Sequence, residues 1–92
     1  MPKVRFGRKF DTMYRELVSG NPSLSKEVAK RILRFKKNSN DSRLRNHALT
    51  KKMKAKFAFS ITDDIRIVYE WFGKSTARFL VIGTHNKVYK KT

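Results

Sequence analysis

Two apolar runs separated by Gly73-Lys74-Ser75 constrain this chain more than any other feature. The first, Ile61–Phe72, alternates Ile65, Ile67, Tyr69 and Trp71 with Arg66, Val68 and Glu70; the second, Arg78–Tyr89, is rich in β-branched and aromatic residues. Runs of this composition on either side of a glycine-containing turn predict a β-hairpin. Alternation puts Arg66 on the face opposite the larger apolar set. Asp64, Arg66, His85 and Tyr89 fall inside or just beyond the two runs, and a strand pair is a rigid place to hold groups capable of chemistry.

The rest of the chain reads as backing for that hairpin. Pro2–Phe6 is short enough for an edge strand, with Val4 and Phe6 pointing the same way. From Arg8 to Val18 the period changes: Phe10, Met13, Tyr14 and Leu17 fall on one helical face. Ser19-Gly20-Asn21-Pro22 stops that helix, and Asn21, Ser23 or Ser25 can cap a second one. Its stripe is Leu24, Val28, Ile32 and Phe35, with Ala29 and Leu33 beside it and lysines and arginines elsewhere. The two helices are expected to form a hairpin covering one side of a sheet. After the turn cluster 38–42, the segment Arg43–Leu49 shows no period; Leu44, Ala48 and Leu49 are expected to tuck under the sheet while Arg45 and His47 project. Thr50–Lys56 is a basic run leading into a strand, Phe57–Ile61. The order is β-α-α-β-β-β, an α+β fold with a small, largely antiparallel sheet.

At 92 residues the length predicts one domain, 1–92, with a single modest core. The chain has no cysteine, which removes disulfides and thiolate metal sites, and its two histidines alone make no convincing metal centre. Met1–Asp11 lacks the apolar segment of a secretory signal, and no run reaches the roughly 20 apolar residues of a bilayer span, so a cytoplasmic protein is expected. Lys and Arg total 23 against 7 acidic residues, a formal charge of +16. Charge of that density calls for a polyanionic partner, nucleic acid first and an acidic protein second.

Three blocks carry a family likeness: Leu44-Arg45-Asn46-His47-Ala48-Leu49, then Ala58 to Tyr69, then Ile82-Gly83-Thr84-His85-Asn86-Lys87-Val88-Tyr89. They resemble the YafQ-like branch of the RelE/ParE toxin superfamily, over essentially the whole chain. The resemblance implies the RelE-like microbial RNase fold and the toxin of a type II toxin–antitoxin system, neutralised by an acidic antitoxin. It implies a metal-independent endoribonuclease that needs no cofactor and cuts mRNA in the ribosomal (30S) A site. It implies no membrane role, and promoter DNA only through the antitoxin complex. By the same likeness His47, Asp64, Arg66, His85 and Tyr89 are the site residues. The sequence departs from the branch at Ser60, where the branch carries a further histidine.

Cutting RNA without a metal requires the ribose 2′-OH to attack its own phosphate. A base takes that proton, an acid protonates the departing 5′-oxygen, and a cation balances the phosphorane. His85 is expected as the acid, with His47 or Asp64 as the base or its orienting group. Arg66 stabilises transition-state charge through its planar fork, and Tyr89 stacks on or positions the substrate. Arg45, Lys52, Lys54, Lys56 and Lys87 are expected to hold the RNA backbone. Each residue has a plainer use: a turn cap for His85, an Asx turn for Asp64, a pair with Glu70 for Arg66, simple packing for Tyr89. Two other functions share the fold: a ParE-like gyrase inhibitor and a non-toxic basic RNA-binding module.

Overall fold

The computed structural model describes residues 1–50 and 53–91. Their order is β1 (Lys3–Phe6), α1 (Arg8–Val18), α2 (Pro22–Lys37), a 3-10 turn (Ser42–Leu44), β2 (His47–Ala48), β3 (Phe57–Ser60), β4 (Ile65–Phe72), β5 (Thr76–Thr84) and α3 (His85–Lys91). The expected β-α-α-β-β-β order holds, with two additions, the two-residue strand β2 and the C-terminal helix α3. Among the described residues the strands form one sheet in the order β1-β5-β4-β3-β2. Only β1 runs parallel to its neighbour; the other pairings are antiparallel.

The helices start and stop for local reasons. Asn21 accepts from the Leu24 amide at 3.2 Å and Pro22 occupies the first turn of α2. The chain leaves α1 through Gly20, whose φ of +68° suits glycine. Phe10 and Met13 of α1 and Val28 and Phe35 of α2 are buried. Tyr14 and Ser25 join the two helices hydroxyl to hydroxyl at 3.1 Å.

These apolar faces meet the sheet on the side of Phe57, Phe59, Ile67, Tyr69 and Phe79. Phe35 is the keystone there, with no exposed surface. Its ring centroid lies 4.8 Å from that of Phe59, 5.0 Å from Tyr69 and 5.3 Å from Phe79. Aromatic pairs at these separations add to ordinary area burial.

The β4–β5 ladder carries a bulge. Val68 pairs with Val81 but Tyr69 pairs with Phe79, so Leu80 is the extra residue. The bulge lets both Phe79 and Val81 be buried, one on each face. On the far face lie Ala58, Ser60, Arg66, Val68, Val81 and Gly83, placed together by register.

That far face is not left wholly open. The strand expected to run through the third block ends at Thr84, and residues 85–91 turn back as α3. Thr84 starts the helix by accepting from the Lys87 amide at 3.4 Å. α3 packs across β4 and β5, and its Val88 is fully buried. A Cβ built on Gly83 would lie 3.5 Å from the Lys87 side chain, so Lys87 covers Gly83 from the Arg66 side. Arg66 is consequently half-buried.

Candidate active site

Asp64 and His85 meet where β4 begins and β5 ends. The His85 amide donates to the Asp64 carbonyl at 3.0 Å, just past the Ile65–Thr84 pair that closes the ladder. Thr62 shapes the approach, accepting from the Asp64 and Ile65 amides at 3.3 and 3.0 Å. The capping work of this turn therefore falls to Thr62, and the Asp64 carboxylate is left unspent. The His85 imidazole stands edge-on to the Tyr89 ring, centroids 4.5 Å apart, as one turn of helix dictates. Asp64 and His85 are exposed and Tyr89 is half-buried.

The ion pairs single out Asp64. Six of the seven acidic residues are partnered: Asp11 with Arg15, Glu16 with Lys87, Glu27 with Arg31, Asp41 with Arg43, Asp63 with Arg45 and Glu70 with Arg78. Among the described residues Asp64 is the one carboxylate with no cation on it. Arg66 matches it: its expected rival partner, Glu70, meets Arg78 at 3.5 Å instead. The Arg66 side chain forms no ion pair or hydrogen bond with any described residue, and its Nε is buried without a partner. Among the described residues, one unpaired acid, one unpaired guanidinium and the His85 imidazole thus lie at one end of the sheet, while the other six acidic side chains are paired.

Arg45 reaches the same end. It takes a left-handed backbone, φ 52°, at the close of the 3-10 turn, and its guanidinium lies 3.8 Å from Asp63. His47 does not join the cluster. It pairs with Ala58 on the short edge strand β2, three strand spacings from β5. With strands about 4.8 Å apart and a rise of about 3.3 Å per residue, its backbone is roughly 15–20 Å from that of His85. The ring is held locally, Nδ1 lying 2.9 Å from the Arg45 carbonyl. A carbonyl only accepts, so Nδ1 donates this hydrogen bond. His47 borders a cleft of about 310 Å³ shared with Asn46, Phe57 and Trp71.

The basic residues divide. Lys54 is exposed and Lys56 half-buried at the β2–β3 connection, the opposite end of the sheet from His85. Lys87 is exposed but engaged, its ammonium 3.7 Å from Glu16 of α1. Lys52 lies outside the described residues. Leu44 is fully buried as expected and Leu49 half-buried, but Ala48 is exposed, because β2 is an edge too short to be covered.

Asn46 escaped the sequence reading. Its Oδ1 accepts from the buried Tyr69 hydroxyl at 2.8 Å and its Nδ2 donates to the Ser39 carbonyl at 2.8 Å. That amide fixes the segment from which Arg45 and His47 project. Its only signal in sequence was its place between those two residues.

No protein-family model matches the sequence, and no curated protein is significantly similar to it. Solved structures are similar over nearly the full chain. YafQ from Escherichia coli strain BL21(DE3) superposes with a TM-score of 0.79 at 13% identity, covering 97% of this chain and 99% of that one. A YoeB/ParE toxin from Agrobacterium tumefaciens gives 0.77 at 15% identity over 90% and 98%. A copper-bound toxin variant from Helicobacter pylori gives 0.71 at 25% identity over 96% and 99%. YafQ has also been solved in a toxin–antitoxin complex with DinJ, where it superposes with a TM-score of 0.73 at 14% identity over 96% and 97%. The chain therefore takes the RelE-like fold of the RelE/ParE toxins.

Proposed function

We propose that this chain is the toxin of a type II toxin–antitoxin system and acts as an endoribonuclease on mRNA in the ribosomal A site. The observation that carries the reading is the unspent trio of Asp64, Arg66 and His85 at one end of the sheet, in a fold shared with YafQ. In this scheme the 2′-oxygen attacks phosphorus and the bond to the 5′-oxygen breaks, leaving a 2′,3′-cyclic phosphate and a 5′-hydroxyl. Asp64 takes the 2′-OH proton, His85 delivers a proton to the departing 5′-oxygen, and Arg66 balances the phosphorane. Tyr89 holds the imidazole edge-on and offers its ring to a base. His47 lies too far away to share that phosphodiester, so it works on a neighbouring nucleotide, alongside Arg45. Lys54 and Lys56, at the other end of the sheet, hold RNA backbone further along.

The partner is an acidic antitoxin segment that covers the cationic surface, by analogy with DinJ on YafQ and consistent with the +16 charge. Induced expression in a bacterial host tests the function. Translated mRNAs are expected to be cut within their coding regions within minutes. Growth arrest with DNA damage and intact mRNA contradicts the nuclease reading and favours gyrase inhibition.

A further inference from the structure

Among the described residues two buried side-chain polar atoms lack any hydrogen-bond partner, Ser60 Oγ and Arg66 Nε. They are not scattered. Ser60 and Arg66 are directly paired across β3 and β4, so both side chains rise from the same face side by side. Ser60 is only 5% exposed. Buried polar groups are almost always hydrogen-bonded, and two orphans on one cross-strand pair mark a place where something else supplies the acceptor.

The third member of the row shows where. Arg66 pairs on its other side with Gly83, which has no side chain. The space a Cβ would take is bordered by the Lys87 stem at 3.5–3.7 Å, while the Lys87 ammonium is drawn away to Glu16. The row Ser60, Arg66 and Gly83 therefore lies beneath the aliphatic stem of the exposed Lys87, which an incoming anion would have to displace to reach the hydroxyl and the guanidinium edge. Neighbouring carboxylates do not serve these donors: Glu70 is on Arg78 and Asp63 on Arg45. Two convergent donors, one of them cationic, fit an anionic oxygen.

We propose that Ser60 is a phosphate-binding residue, its hydroxyl and Arg66 Nε donating together to one non-bridging oxygen of the scissile phosphate. This rests on the nuclease reading for the identity of the phosphate, but not for the existence of the cradle. The hydroxyl adds direction without adding charge, and the buried Nε presents one N–H at a fixed angle.

The test is Ser60→Ala, which removes the donor and keeps the volume. Inorganic phosphate is titrated into the wild-type chain while the Arg66 Nε–H resonance is followed by NMR. That resonance is expected to shift on saturation, and its apparent affinity to fall about fivefold or more in the variant, the loss of one hydrogen bond to a charged group. The melting temperature of the variant is expected to stay level or rise, since an unpaired buried hydroxyl is gone. A lowered melting temperature with an unchanged phosphate response makes Ser60 structural and overturns the proposal. So does an Arg66 Nε–H that ignores phosphate while exposed arginines respond. A response that depends on Ser60, in a protein that cuts no RNA, upholds the cradle and removes the nuclease.

Discussion

The amide of His85 is anchored to the carbonyl of Asp64 at 3.0 Å, so the last turn of the sheet and the first turn of α3 hold the proposed acid and base together through backbone alone. The side chains themselves are exposed and make no hydrogen bond or ion pair with a described residue. Asp64→Asn and His85→Ala are therefore expected to change stability by no more than about 0.5 kcal/mol. Urea denaturation checks this. A loss of several kcal/mol in either variant makes the side chain structural.

Asn46 is the opposite case. It satisfies the buried Tyr69 hydroxyl and ties the 45–47 segment to Ser39. Asn46→Ala leaves that hydroxyl unpaired and is expected to cost about 1–3 kcal/mol. Adding Tyr69→Phe, which removes the orphaned group, should recover part of the loss; strict additivity of the two substitutions contradicts the coupling.

Burial pushes the Tyr69 phenol above its ordinary range, and the bond to Asn46 offsets this only in part. The folded state thus holds that proton longer than the unfolded chain, whose phenol titrates near pH 10. This contribution is fully present below about pH 10 and is lost as pH rises through the folded value. Phenolate absorbance should show Tyr69 ionising beyond the ordinary range, and Tyr69→Phe should remove that late step. At the acid end, hydrogen bonds from Arg43 hold the Asp41 carboxyl well below the usual carboxylate range. Its contribution is present above that range and lost only at stronger acid; Asp41→Asn should flatten this part of the acid unfolding curve.

RNA affinity should fall steeply with salt, because each phosphate neutralised by Lys or Arg releases counterions. Lys54 is exposed and remote from the Asp64–His85 end. Lys54→Gln is expected to lower the log–log salt slope by about one without changing which bond is cut. Filter binding over a range of salt concentrations gives the slope, and an unchanged slope removes Lys54 from the RNA path.

Much of this was legible in sequence where the signal is local. The spacing of Phe10, Met13, Tyr14 and Leu17 gives α1, Asn21-Pro22 gives the start of α2, and Gly73, at φ +73°, gives the hairpin turn. Helix α3 was not legible, because residues 85–91 are too few to show a helical period and follow directly on a run rich in strand formers. What turns residues 85–91 into a helix is tertiary: Val88 buried on the sheet and Lys87 tied to Glu16. Arg66 was placed on the correct face but not beneath a helix. The bulge at Leu80 and the lone Ser60 hydroxyl leave no trace in composition or period. His47 was grouped with His85 by likeness, and only the strand order shows the sheet lying between them.

Single-turnover cleavage of mRNA on programmed ribosomes by wild type and His85→Ala, with the product ends identified, tests the central claim most directly. The account predicts a 2′,3′-cyclic phosphate and a 5′-hydroxyl from the wild type, and a rate lower by about 10²–10⁴-fold in the variant, the usual worth of a positioned acid. Undiminished cleavage by a folded His85→Ala protein, or products ending in a 5′-phosphate, contradicts it.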